Sequence, residues 1–252
     1  MKAILDNKYF YLPIVSVIML VILWEVVVRV SGWSHQVFPG PTIVMHGFVE
    51  LVESGSLLKH SIASLYRVTV GFYLAALIGI PLGIYMGMNR TVNTMINPLV
   101  QFLRPISPLA WIPLAMLWFG IGDMPAIFLI FLSSFFSLIV ATIVAVHSIN
   151  PIYFQVAANF NFSRLEVITK VVVPAIVPDV ITALRLTVGV AWLVVVAAEM
   201  IAVQSGLGYL ILDSRNALRM DYVMVGMIVI GVIGLCLDII MQRFSQLKWS
   251  RN

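Results

Sequence analysis

The chain has 252 residues, 61% of them hydrophobic and 10% charged, with 15 Lys and Arg against 11 Asp and Glu and a mean hydropathy of +1.04. These proportions exclude an ordinary soluble globular domain and place the protein in a lipid bilayer. The net charge of +4 gives no reason to expect nucleic acid as a partner. The single Cys236 rules out an internal disulfide. His35, His46, His60 and His147 are scattered without metal-ligand spacing, so no metal site is expected. The sequence contains no G-x4-G-K-[ST] phosphate loop, no Ser-His-Asp arrangement and no paired carboxylates that suggest catalysis. It does not read as an enzyme.

A membrane-spanning helix needs about 20 apolar residues. Six stretches approach that length, at 11–30, 66–88, 92–119, 124–146, 175–201 and 223–241. The predicted fold class is therefore an all-α membrane protein with about six transmembrane helices. The first stretch follows Lys2 and Lys8 but runs into Trp24 and Glu25 without a small-residue cleavage site, so it reads as a retained helix. Glu25 and Arg29 stand four apart and are expected to satisfy each other.

In the second stretch Gly71, Ala75, Gly79, Gly83 and Gly87 recur every four residues. Such a stripe lets another helix approach closely where lipid supplies no hydrophobic drive. It suits either packing within the chain or a helix that slides during gating. Pro81, between two of these glycines, predicts a kink. The third stretch, LRPISPLAWIPLAMLWFGIG, holds Pro105, Pro108 and Pro113 after Pro98. Broken backbone survives at membrane depth only when buried in protein or lining a wet cavity. Arg104, Trp111 and Trp118 repeat there every seven residues.

Residues 150–174, NPIYFQVAANFNFSRLEVITKVVVP, interrupt this pattern with a polar, amphipathic segment. Asn150 is a candidate N-cap with Pro151 at the first helical position. Asn161 is suited to a left-handed residue closing a short helix. Ser163 and Glu166 form an S-x-x-E capping box for a second helix running toward Pro174. Two short helices joined by a tight turn would make a rigid lever outside the bilayer.

The fifth stretch carries Arg185, Trp192 and Glu199 at heptad spacing, with Thr182 and Gly189 on the same stripe. A guanidinium near mid-bilayer costs at least ~2.5 kcal/mol unless it meets water or a partner. Arg185 is thus expected either to attract an anion along a pathway, with Trp192 as a constriction and Glu199 near the outer surface, or to pair with an acid such as Asp238. The loop charges orient the chain. With the N-terminus inside, the cytoplasmic side holds Lys2, Lys8, Arg90, Arg164, Lys170, Arg243, Lys248 and Arg251. The opposite side holds only Lys59, Arg67, Arg215 and Arg219. Both termini and the 150–174 lever are therefore expected in the cytoplasm.

The lever resembles the cytoplasmic loop of ABC-type importer permeases, E-A-A-x3-G-x9-I-x-L-P. Aligned on Pro174, Gln155, Val156 and Ala157 stand for E-A-A, Asn161 for Gly, and Val171 and Val173 for Ile and Leu. The leading acid is lost, so docking would rest on hydrogen bonds and packing. The segments FPGPTIV, SLYRVTVGFYLAALIGIPLGIYMGMNR, RPISPLAWIPLAMLWFGIG, ALRLTVGVAWLVVVAAEM and SGLGYLILDSRN resemble the nitrate, sulfonate, taurine and bicarbonate group of these permeases. Ser107 stands where a proline is usual.

The resemblance implies a type I importer architecture in a bacterial inner membrane, with residues 1–60 as a first helix and extracytoplasmic segment and 61–252 as the permease core. It implies pairing with a second copy or a paralogue, two cytoplasmic ATPase subunits that bind ATP and Mg, and an extracytoplasmic solute-binding protein. It implies no cofactor on this chain. Gln155, Val156, Ala157, Ala158, Asn161, Ser163, Arg164 and Glu166 would couple to the ATPase. Arg104, Trp111, Trp118, Arg185, Gly189, Trp192 and Glu199 are candidates for the translocation pathway. The alternative is a secondary, ion-gradient-driven transporter, which also uses broken helices and mid-membrane charge.

Overall fold

The computed structural model describes residues 6–32, 34 and 37–247; Lys2, His35, Lys248 and Arg251 lie outside the described residues. Among the described residues every regular element is helical: α1 (Asp6–Ser31), α2 (Pro41–Glu53), α3 (Ser56–Met88), α4 (Arg90–Leu103), α5 (Ile112–Phe119), α6 (Asp123–His147), α7 (Pro151–Asn159), α8 (Arg164–Glu166), α9 (Val173–Ala202), α10 (Leu207–Asn216) and α11 (Met220–Leu247). Five helices in this set are long and apolar enough to cross a membrane, and a bent pair raises the count to six.

Three boundaries differ from the sequence expectation. The stretch at 92–119 is not one span, because α4 stops at Leu103 and a 3₁₀ turn at Pro108–Trp111 leads into α5, the two limbs bent by 87°. Pro105 and Pro108 each remove a ladder donor, and Ser107, ahead of Pro108, is held extended with ψ of 130°, which is why the bend falls there. Second, α3 starts at Ser56 rather than at residue 66. Lys59 and Arg67, counted above as outer-loop charges, therefore lie inside a helix.

Third, the second lever helix is not a separate element. α8, a π turn at Val167–Val172 and α9 follow without a break, forming one helix of 39 residues from Arg164 to Ala202. Pro174 falls in the first turn of α9, directly after the π turn, where the change of register accommodates its missing N–H.

The chain forms two compact units, Met1–Lys59 with Leu210–Val229, and His60–Tyr209 with Ile230–Asn252. In the first, Arg29 Nη2 meets Glu25 Oε1 at 2.7 Å, the expected intrahelical pair. Pro41 opens α2 after Gly40. Arg219 reaches Glu50 at 2.7 Å and Asp221 at 2.8 Å, while its guanidinium stacks 3.8 Å from the Tyr222 ring centre. The hydrogen bonds from Arg219 and from the Tyr222 hydroxyl hold the Glu50 carboxyl below the usual carboxylate range.

The second unit is built around α6, which has 13 buried residues and packs on α9. The small-residue stripe of α3 lies against α6. A Cβ at Gly71 would come within 2.8 Å of the Ile127 carbonyl and the Ile130 side chain. One at Gly83 would meet Thr142 at 2.6 Å, and one at Gly87 would meet Val146 at 2.7 Å. Gly79 faces Phe135 and Leu138, and Ala75 is fully buried. The stripe thus serves packing within this chain: hydrogen in place of methyl lets the backbones approach, and dispersion holds them.

Candidate transport and coupling sites

The lever is built from local capping chemistry. Asn150 Oδ1 accepts from Ile152 N–H at 3.0 Å and starts α7. At its end Asn161 has φ of 53°, the Phe162 N–H donates to the Ala157 carbonyl at 3.0 Å, and the Asn161 N–H donates to the Ala158 carbonyl at 3.0 Å. That pair of bonds is a Schellman closure, which requires a left-handed residue where Asn161 stands. Ser163 and Glu166 close the capping box in both directions, at 2.9 and 3.3 Å, and Lys170 pairs with Glu166 at 2.8 Å.

The lever's root is wedged between two spans. Phe154 and Val167 pack on a cluster of Ala145, Val146 and Ile149 from the end of α6 and Val172 and Ile176 from the start of the long helix. Ala157, expected to face a partner, is 2% exposed and belongs to this inner side. Gln155, Ala158, Asn161, Ser163 and Arg164 are exposed. Ile152, Val156 and Phe160, four residues apart, are 55%, 47% and 71% exposed and form one apolar stripe. Arg164 lines a groove of about 590 Å³ with Pro81, Ile84, Tyr85, Met88 and Ile168.

Glu199, expected on the pathway stripe near the outer surface, is enclosed by other groups of this chain. It is fully buried, its Oε1 is 2.5 Å from Nη1 of Arg67, and its Oε2 accepts from Ser64 Oγ at 2.8 Å and Gly208 N–H at 3.0 Å. Arg67, itself 1% exposed, also contacts Asp123 at 2.6 Å, the Ser205 carbonyl at 2.8 Å and the Ser205 hydroxyl. The chain can close so tightly because Gly206 takes φ of 105°, where a Cβ would overlap the Glu199 carboxylate. Sequence reasoning missed Arg67 as a partner. The available signal was its position four residues before Gly71, on the same stripe of α3.

Trp192, expected as a constriction, is also buried within the chain. It is 4% exposed, its indole N–H donates to the Ile230 carbonyl at 3.0 Å, and it rests on Gly234. Seven residues earlier, Arg185 makes a bidentate pair with Asp238, both contacts at 2.9 Å. Of the two readings left open for Arg185, the structure supplies the carboxylate partner. Residues 185 and 192 meet 238 and 230, so α9 and α11 run antiparallel here. Gly189 faces open space.

Arg104 and Trp111 do come together. They line a cleft of about 170 Å³ at the break between α4 and α5, with Ser133, Phe136 and Ser137 from α6 and Val190 from α9. Trp118 sits elsewhere, 55% exposed and edge-on to Phe119 and Phe128.

A helical membrane protein with a broken span and a capped lever continuous with a crossing helix belongs to the class of membrane-spanning transport subunits. The chain is a member of the binding-protein-dependent transport system inner membrane component family, whose model matches residues 79–249. It is 44% identical over 197 residues to a putative ABC transporter permease protein of Methanocaldococcus jannaschii, covering 78% of this chain and 74% of that one. It is 34% identical to a putative aliphatic sulfonates transport permease protein of Bacillus subtilis, covering 92% and 85% of the two chains. It is 35% identical to a bicarbonate transport system permease protein of Synechococcus elongatus, covering 90% and 85%. The fold matches a chain of the inward-facing MetNI methionine ABC transporter with a TM-score of 0.62 at 15% identity, over 73% of this chain and 92% of that one. The protein is thus a multi-pass inner-membrane permease component of an ABC importer, and the ion-gradient-driven alternative is not favoured.

Proposed function

We propose that this permease carries a small anion, of the sulfonate or bicarbonate class named for its relatives, and that a separate ATPase drives it through the lever at residues 150–172. The observation that carries the coupling half is the exposed apolar stripe of Ile152, Val156 and Phe160 on a helix closed at both ends. A contiguous apolar surface outside the bilayer marks a protein contact. Helix ends saturated by caps transmit displacement instead of fraying.

Motion at that surface reaches the membrane by two routes: through Phe154 and Val167 into the ends of α6 and α9, and along the unbroken helix from Arg164 to Ala202. The lever and both termini then face the cytoplasm, with a solute-binding protein on the opposite side. ATP and Mg are held by two ATPase subunits, and a second permease, identical or paralogous, completes the membrane part. ATP binding closes the ATPases, draws the docked levers together and opens the path outward, and hydrolysis resets it.

The test is Val156→Asp and Asn161→Pro in the assembled importer. Val156→Asp puts a charge into the docking stripe, and Asn161→Pro removes both the left-handed φ and the N–H that closes α7. Both variants should insert in the membrane, yet lose at least about tenfold of substrate-stimulated hydrolysis, the equivalent of ~1.4 kcal/mol of coupling. Normal stimulated hydrolysis in both would refute the coupling assignment.

A further inference from the structure

Arg67 and Arg185 lie inside apolar helices, and each is neutralised, Arg67 by Glu199 and Asp123 and Arg185 by Asp238. Arg104 differs. Among the described residues no carboxylate pairs with its guanidinium, and none lines its cleft. The 14 residues of α4 make a rod about 21 Å long, and Arg104 is its C-cap, at the break before Pro105. From Pro105 to Ser107 the chain leaves the α-helix. Such backbone persists where protein buries it or where a wet cavity meets it. A cleft of about 170 Å³ opens at this break.

Its chemistry is one-sided. Arg104 supplies a permanent positive charge with a fork of donors. Opposite it, Ser133 and Ser137 stand one helical turn apart on α6, their hydroxyls now donating to the Ile130 and Ser133 carbonyls at 2.8 and 3.0 Å. A serine O–H rotates freely, so both can turn toward an acceptor placed in the cleft. Half-buried Trp111 and Phe136 line the cleft beside Arg104.

We propose that this cleft is the anion-selective station of the translocation path, binding a small monovalent oxyanion between the Arg104 guanidinium and the Ser133 and Ser137 hydroxyls. The proposal rests on the anion-importer reading above and adds the residues that discriminate. A cation entering the same space meets Arg104 and no compensating acid.

The experiment uses the complete importer in liposomes, with its ATPase and binding protein, and labelled bicarbonate, nitrate and ethanesulfonate as probes. Wild type should take up at least one of them when ATP is supplied. Uptake of none would overturn the anion reading and the cleft with it. Where wild type transports, Arg104→Gln should reduce uptake by at least about tenfold, as expected for loss of one charge-assisted hydrogen bond, with Arg104→Lys recovering part of it. Equal uptake by wild type and Arg104→Gln would overturn the cleft alone. A second measurement is independent of the arginine variant's folding. Cys236 is the only cysteine, so Ser137→Cys in a Cys236→Ser chain reports on the cleft. An anionic methanethiosulfonate should modify it, and the transported probe should slow that reaction. Absence of modification, or modification that the probe does not slow, counts against the proposal.

Discussion

Two arginines show how one side chain is put to different uses in this molecule. Arg67 is 1% exposed and surrounded by Glu199, Asp123, Ser205 and, through Glu199, Ser64 and Gly208, so that its donor capacity is consumed. Arg104 lies at a break in the helix with a cleft in front of it and, among the described residues, no carboxylate lining that cleft. Burying an ion carries a desolvation penalty that only well-placed partners offset. The saturated cluster therefore reads as structure, binding α3, α6 and the turn after α9 into one piece. The unsaturated site keeps its electrostatic attraction for something that arrives and leaves.

The largest effect that would sharpen this contrast is Glu199→Ala. It leaves Arg67 buried with only part of its countercharge, and breaking such a pair typically costs about 3–5 kcal/mol. Thermal unfolding of the purified protein in detergent should register it as a large fall in midpoint, mostly recovered when Arg67→Met is added. Arg104→Gln should move the same midpoint by no more than the roughly 0.5 kcal/mol usual for exposed positions. If both variants unfolded alike, the contrast would collapse.

Gly71→Ala comes next. Its methyl would stand 2.8 Å from the Ile127 carbonyl and Ile130 Cβ, and overpacking of that kind costs about 1–3 kcal/mol. Because Gly71 lies one turn from Arg67, the loss should be less than additive with that of Glu199→Ala in the double variant, since one helix seat is disturbed twice. Full additivity would mean that the cluster and the stripe act separately. The smallest effect belongs to Gly189→Ala, where nothing lies within 4 Å. Alanine there should raise stability by up to ~1 kcal/mol through helix propensity. A loss of stability instead would place a neighbouring helix against that open face.

Much of the fold is legible in local patterns. The lever's ends follow from Asn150, Asn161 and Ser163 with Glu166, since each cap joins residues only a few positions apart. The stripe from Gly71 to Gly87 announces close packing by its spacing, and Glu25 with Arg29 pair within one helix. The heptads of Arg and Trp are less informative. Arg185, Trp192 and Glu199 share a face of α9 but meet different neighbours, while the bend of 87° falls between Arg104 and both tryptophans, of which Trp111 lines the Arg104 cleft and Trp118 packs on Phe119 and Phe128.

The sequence by itself determined that the chain lives in a membrane, roughly where its apolar stretches run, and where a capped polar lever interrupts them. These properties follow from composition and from chemistry acting over one or two turns. Only the tertiary structure decided which charges are spent and which remain available. The Arg67–Glu199 contact joins positions 132 residues apart, and whether a buried arginine finds such a partner depends on where distant helices come to rest.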